Sequence, residues 1–136
     1  EAGWDFDTNV KEEYPVHHMP TDSKDGFVDY ILRGRTGKII AVIEAKKTSV
    51  DPRVGRNQAK LYADSIEQEY GLRPVIFYTN GFETFIWDDM MYPDRKVSSI
   101  FSQDEIQLLI DRRDTRRSIS KPVIQDAITN RYLVES

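Results

Sequence analysis

The sequence contains no cysteine, which excludes disulfide bonds, thiolate zinc sites and cysteine nucleophiles. Long apolar runs are also lacking, and none approaches the ~20 residues that a membrane-spanning helix needs. No secretory signal pattern opens the chain. A Gly-x-Ser-x-Gly motif is absent too, which argues against a serine hydrolase. We therefore expect a cytoplasmic protein that makes no contact with a membrane.

Acidic residues outnumber basic residues in this chain. The chain has 19 Lys and Arg against 23 Asp and Glu, which gives a formal net charge of −4 and a pI near 5.2. Lys and Arg supply most of the non-specific affinity of proteins for nucleic acids, because they neutralise phosphates. Tight independent binding to DNA is therefore not expected. DNA held here would depend on local basic patches, metal ions or another domain.

The length and composition are those of one globular domain. The chain has 136 residues, of which 39% are hydrophobic and 31% are charged. It begins at Glu1 without an initiator methionine, and we interpret it as a piece of a longer polypeptide. From Asp114 onward the sequence turns polar. We therefore divide it into a folded domain over residues 1–113 and a linker or docking segment over residues 114–136.

The most informative stretch is an apolar run that ends in charges. Residues 39–43 are all apolar, which is typical of a strand buried on both faces, and Glu44 and Lys46 follow. Side chains alternate along a strand, so these two share a face, roughly 7 Å apart along the chain. Charges in such a place are costly unless they are paired or bind a metal. A structural salt bridge from Glu44 to Lys46 or Lys47 is the alternative to a catalytic site.

The remaining pattern predicts an α/β domain with a restriction-endonuclease-like core, in which helices flank a mixed central β-sheet. We expect strands over residues 10–16, 27–32, 38–46, 74–79, 83–87 and 97–101. A helix is predicted over residues 56–70, ending at Gly71, and a second helix begins at the capping box from Ser102 to Glu105. Tight turns are expected at residues 34–37 and at Asn80-Gly81.

Three further polar residues are predicted to lie near Glu44 and Lys46. Asp29 lies on the strand that precedes it, and Gln58 and Tyr62 share one face of the helix that follows it. A surface glutamine and a packed tyrosine are the alternative interpretation of the last two. The acid-x-Lys pattern also occurs at Asp22-Ser23-Lys24 and Asp94-Arg95-Lys96, in turn-like stretches where we expect solvated charges.

Together, Asp29, Glu44-Ala45-Lys46 and Gln58-x-x-x-Tyr62 resemble the PD-(D/E)xK nuclease superfamily and its RecB-like branch. More narrowly, most of residues 1–113 resemble the amino-terminal nuclease domain of the restriction (motor) subunit of type I restriction-modification enzymes. The segments that carry this likeness are Gly3-Trp4-Asp5, Glu44-Ala45-Lys46-Lys47-Thr48, Asp51-Pro52-Arg53-Val54-Gly55-Arg56, Gln58-Ala59-Lys60-Leu61-Tyr62-Ala63, residues 77–87 and Thr79-Asn80-Gly81.

The resemblance implies a type I site-specific deoxyribonuclease that needs Mg²⁺. In that family, the residues aligned with Asp29 and Glu44 hold the metal, and Lys46 assists the attacking water. The backbone carbonyl of Ala45 is a further oxygen ligand of the kind that Mg²⁺ prefers. Gln58 and Tyr62 are expected to orient the DNA or the site. The isolated piece need not be active.

The resemblance also implies partners. These are double-stranded DNA and the methyltransferase and specificity subunits of the restriction complex. ATP would be bound by a helicase-like motor outside this chain, and residues 127–132 resemble the approach to that motor.

Two departures from the family pattern leave alternatives open. Val28 precedes Asp29 where the superfamily has proline, and the supporting acid of its first helix is not identifiable, since Glu12 or Glu13 would come from a strand. One alternative is a degenerate nuclease fold kept for DNA binding or subunit docking, which the retained Asp29, Glu44 and Lys46 disfavour. The other is a stand-alone repair or resolvase nuclease, which the motor-like end disfavours.

Overall fold

A computed structural model describes Trp4, residues 9–17 and residues 25–125, with side chains for all of these except residue 25 and residues 116–125. Within these residues, six strands form one sheet in the order β1-β2-β3-β4-β5-β6. The strands are β1 (Val10–His17), β2 (Asp25–Arg33), β3 (Ile39–Ala45), β4 (Val75–Thr79), β5 (Thr84–Trp87) and β6 (Arg95–Val97). Neighbours are antiparallel except for β3 and β4, which are parallel, so the predicted mixed sheet is confirmed.

The connection from β3 to β4 carries the first helix. Parallel neighbours need a long crossover, and here it consists of a 3₁₀ helix (Pro52–Gly55) and α1 (Arg56–Tyr70). α1 ends at Gly71, whose φ of 86° is readily adopted only by a residue without Cβ. The predicted helix is confirmed, whereas the 3₁₀ helix before it was not predicted.

Helices cover both faces of the sheet. On one face, α1 buries Ala59 and Ile66 against the strands, and on the other face α2 (Gln103–Gln125) buries Ile106 and Ile110. Residues 39–43 of β3 lie between these layers and are all buried, which explains their unbroken apolar run. No helix in the described part of the chain has the length and apolarity needed to cross a membrane.

α2 begins at the predicted capping box. Oγ of Ser102 accepts a hydrogen bond from the backbone N–H of Glu105 at 3.2 Å, and Oε1 of Glu105 accepts one from the N–H of Ser102 at 2.8 Å. The helix continues to Gln125, past residue 113, where the folded domain was expected to end. The domain boundary stays a prediction, and the motor-like residues 127–132 lie outside the described residues.

The predicted strand over residues 97–101 is wrong. β6 ends at Val97, which pairs with Thr84, the first residue of β5. Beyond this point β5 offers no backbone partner, so Ile100 and Phe101 pack instead against the apolar layer beneath α2. The carbonyl of Phe101 accepts a hydrogen bond from Nε1 of Trp4 at 3.0 Å. The turn predicted at residues 34–37 is confirmed.

Candidate active site

Asp29 and Glu44 lie on the same face of the sheet, on the paired strands β2 and β3. Ile31 and Val42, two residues away on each strand, are both buried in the apolar layer beneath α1. Because side chains alternate along a strand, Asp29 and Glu44 face the same layer. The two predicted acids are therefore brought together.

A hydrogen bond fixes the position of the Asp29 carboxylate. Its Oδ2 accepts the backbone N–H of Ala45 at 2.8 Å, and its carboxyl group lies near enough to that of Glu44 to influence its pKa. Burial of Glu44, which is 6% exposed, and the negative charge of Asp29 raise the pKa of Glu44 to about 7. The bond to Lys46 opposes this shift without cancelling it. Glu44 is thus a carboxyl whose ionisation is poised near neutrality.

Lys46 directly follows β3, and its side chain reaches back to Glu44, as the alternation predicted. Its Nζ lies 3.2 Å from Oε2 of Glu44, and its side chain is 32% exposed. The backbone N–H of Lys46 donates to the carbonyl of Thr79 at 2.8 Å, which ties the end of β3 to β4. The salt bridge considered as the alternative therefore exists, and the acid beside it makes the group more than a simple ion pair.

The donor set fits a hard divalent cation. Oε1 of Glu44 is buried and has no hydrogen-bond partner, which is costly for a carboxylate unless a cation satisfies it. Carboxylate and carbonyl oxygens are the ligands that Mg²⁺ prefers. Among the described residues no cluster of three or more Asp, Glu or His forms, and Glu12 and Glu13 are exposed on β1. The two acids, Asp29 and Glu44, would hold the ion.

Gln58 and Tyr62 lie beside this centre. Tyr62 is buried, and the Gln58 side chain lies near enough to its hydroxyl to oppose the rise of its pKa. Burial, and then the charges of Glu44 and Asp29, raise the pKa of the Tyr62 phenol, so the hydroxyl stays protonated. The first turns of α1 thus bring both predicted residues to the acids, while their roles stay predictions.

Gly55 is a residue of the site that the sequence interpretation missed. A Cβ placed on it would lie 2.7 Å from Cγ of Glu44 and 3.0 Å from Cε of Lys46, closer than ordinary packing allows. The backbone of the 3₁₀ helix at Gly55 therefore packs directly against the side chains of Glu44 and Lys46, with no side chain between them. The sequence offered a glycine directly before a helix, which is common elsewhere, within a segment that carries the family likeness.

Asn80 holds together the two loops that leave β3 and β4. Its Nδ2 donates to the carbonyl of Val50 at 2.8 Å, and its Oδ1 accepts the N–H groups of Phe82 and Glu83 at 2.9 and 2.8 Å. The turn predicted at Asn80-Gly81 is confirmed, and Gly81 has a φ of 91°. The bond to Val50 was not predictable from the local sequence.

The expectation of solvated charges is wrong for Asp94. Its side chain is 24% exposed, and its Oδ2 lies 3.1 Å from Nε of Arg56 and accepts a hydrogen bond from the hydroxyl of Tyr78. The guanidinium of Arg56 also lies over the ring of Trp87, 4.3 Å from its centroid. Asp94 therefore ties the start of α1 to the sheet. Asp22-Ser23-Lys24 lies outside the described residues.

The comparison with known families decides the relationship. Residues 2–95 match the family model described as the N terminus of the type I restriction enzyme R protein. The chain belongs to this family. No protein with a curated function matches the sequence.

A solved structure agrees with this assignment to the type I R-protein family. It is a fragment described as an HsdR subunit of a type I restriction enzyme from Vibrio vulnificus YJ016, with 27% sequence identity and a TM-score of 0.55. The likeness covers 71% of this chain and 19% of that chain. The present chain thus spans about a fifth of that relative's length.

Proposed function

We propose that this domain is the nuclease module of a type I restriction enzyme R subunit and cleaves DNA phosphodiester bonds endonucleolytically with Mg²⁺. The observation that carries the proposal is the joint placement of Asp29, Glu44 and Lys46 on one face, with a buried oxygen of Glu44 left unsatisfied. Membership of the type I R-protein family supports the same conclusion.

Asp29, Glu44 and the backbone carbonyl of Ala45 are the groups that would hold Mg²⁺. When bound, the ion would lower the pKa of a coordinated water and neutralise charge that develops at phosphorus. Glu44 would bind it as the ionised carboxylate, which its pKa of about 7 makes available near neutral pH. Lys46 would exchange its bond to Glu44 for contact with the attacking water and the phosphate.

One exposed cation beside the site bears on the objection from net charge. Lys47 is exposed on the loop that follows Lys46, whereas Arg53 on the 3₁₀ helix is paired with Asp51 at 2.7 Å. Lys47 would therefore meet an approaching phosphate backbone, although the overall charge is −4. Without metal, the ionised acids oppose phosphate, and we expect weak DNA binding.

Sequence selection and timing would come from outside the domain. We infer that methyltransferase and specificity subunits supply them, together with an ATP-driven motor in the remainder of the subunit, and that the complex works in the cytoplasm. The domain itself would then contribute only double-stranded DNA cleavage.

The test is plasmid cleavage by the assembled full-length enzyme with ATP and Mg²⁺. We expect Asp29→Ala, Glu44→Ala and Lys46→Ala to abolish cleavage while ATP hydrolysis and folding persist. Asp104→Ala and Lys38→Ala serve as matched controls, because both residues are exposed charges away from the site. Full cleavage by all three site variants would reject the proposal and favour a module for docking or DNA binding.

A further inference from the structure

Phe82 is exposed in a turn that neighbours the loop leaving β3. It lies in the β4–β5 turn and is 83% exposed, the highest value for any large apolar side chain among the described residues. Val54, on the 3₁₀ helix next to Gly55, is 67% exposed. Single exposed apolar residues are ordinary in proteins. What sets Phe82 apart is how firmly its backbone is held and what surrounds it.

The turn that carries Phe82 is held by partly buried hydrogen bonds. Oδ1 of Asn80 accepts the N–H of Phe82, and the other end of the same amide is anchored on the carbonyl of Val50. The exposed ring is therefore presented from a fixed backbone. Little conformational entropy of the main chain would be lost when a ligand covers it.

The turn also borders the loop that leaves the catalytic strand. A Cβ on Gly81 would lie 3.5 Å from the methyl group of Thr48, two residues beyond Lys46. The carbonyl of Thr79 accepts the N–H of Lys46 itself. A substrate whose phosphate reached Lys46 would thus lie next to Phe82.

The charges around the turn point to the kind of ligand. Arg53 is exposed on the 3₁₀ helix, which packs beside β4, and its guanidinium is paired with Asp51 at 2.7 Å. Lys47 is exposed on the intervening loop. Cations beside an aromatic ring are typical of surfaces that bind unpaired nucleotides. The centre of a protein interface is instead depleted of charge.

We propose that Phe82 stacks on an unpaired or splayed DNA base adjacent to the phosphate that is cleaved. The inference rests on the proposed function, because it takes DNA as the occupant, and goes beyond it by requiring local opening of the duplex. The ring would hold the DNA strand in place by stacking on the flat face of a base. Every base has such a face, so no sequence preference is expected.

Photocrosslinking in the full-length protein tests this directly. Phe82 is replaced by p-benzoylphenylalanine, and the protein is irradiated with labelled duplex DNA and Mg²⁺. Leu108 receives the same replacement as a control, since it is exposed on α2, over the opposite face of the sheet. We expect DNA adducts at position 82 several-fold above those at position 108. Adducts to protein alone, or equal DNA yields at both positions, would overturn the proposal.

Cleavage kinetics provide a second readout. At limiting DNA, Phe82→Ala should cleave about tenfold more slowly, the size expected for one lost base stack, whereas Phe82→Trp should keep most of the rate. Leu108→Ala should match the parent, and equal rates for Phe82→Ala and Leu108→Ala would count against stacking. Cleavage that survived Lys46→Ala would defeat the proposed function instead, whatever the crosslinks at position 82 show.

Discussion

Gly55 and Glu44 are packed so closely that a methyl group on Gly55 would lie 2.7 Å from Cγ of Glu44. The backbone of the 3₁₀ helix thus covers a carboxyl group that also faces Asp29. This cover keeps water from one side of Glu44, and such burial is the main cause of its raised pKa. The close contact links the geometry of a loop to the ionisation of the site.

Gly55→Ala should therefore disturb both stability and cleavage. The added methyl group cannot fit without moving Glu44 or the 3₁₀ helix, and overpacking of this kind costs about 1–3 kcal/mol. Urea unfolding measures the stability, and plasmid cleavage by the full-length enzyme measures the activity. Val54→Ala, an exposed truncation one residue earlier, should change the stability little. A Gly55→Ala protein as stable and as active as the parent would show that the contact is loose.

The ionisation of Glu44 predicts a pH dependence of stability in the absence of metal. The pKa of Glu44 is about 7 in the folded chain against 4.5 as the ordinary value, so the folded state binds the proton more tightly. The resulting stabilisation is complete below pH 4.5 and is lost as the pH rises through 7. The free energy of unfolding of Glu44→Gln should therefore increasingly exceed that of the parent as the pH rises over this range. The difference should be about 1–3 kcal/mol at pH 8.

If the proposed function holds, Mg²⁺ should make the parent more stable than Glu44→Gln, because it would bind the folded parent and would not bind the variant. Urea titrations at several pH values, with and without Mg²⁺, measure both effects. A pH-independent difference between Glu44→Gln and the parent would contradict the assigned burial of the carboxyl group.

Asn80→Ala should loosen both loops beside the site. The change leaves the carbonyl of Val50 and the N–H groups of Phe82 and Glu83 without their partner, at a cost of about 1–3 kcal/mol. Hydrogen exchange should rise in residues 48–50 and 81–83. Asn57→Ala, an exposed asparagine on α1, is the matched control and should be nearly neutral. Unchanged exchange in both segments would mean that other contacts hold them.

Arg113→Met should strongly destabilise the fold. Arg113 and Asp88 form a buried ion pair with Nε–Oδ1 at 3.0 Å, and Nη1 of Arg113 also donates to the carbonyl of Arg73 at 2.6 Å. Removing one partner leaves a buried charge, which costs about 3–5 kcal/mol. Adding Asp88→Asn should recover part of the loss. Arg112→Met changes the exposed neighbouring residue and should lower the free energy of unfolding only slightly. Similar losses for Arg112→Met and Arg113→Met would contradict the importance of the buried pair.

Much of the fold could be predicted because its signals are local. The bounds of α1 follow from apolar spacing and Gly71, and the capping box marks the start of α2. The unbroken apolar run of residues 39–43 indicated a strand covered on both faces. The grouping of Asp29, Glu44 and Lys46 followed from strand alternation and from the expectation that consecutive strands pair.

The missed features all depend on contacts between distant parts of the chain. Gly55 looks like any glycine before a helix until Glu44 is placed beneath it. Asp94 was expected in solvent because its neighbours in sequence are polar, yet Tyr78 and Arg56 enclose it. The Arg113–Asp88 pair joins a helix to a loop after β5 in the same way, and no periodicity encodes it.

Crystals of the metal-free protein soaked in Mn²⁺ test the central claim most directly. We expect an anomalous difference peak between the carboxylates of Asp29 and Glu44, with Lys46 at its edge, and no such peak in crystals of Asp29→Ala. No peak at saturating Mn²⁺, or a peak only at some other part of the protein, would contradict it.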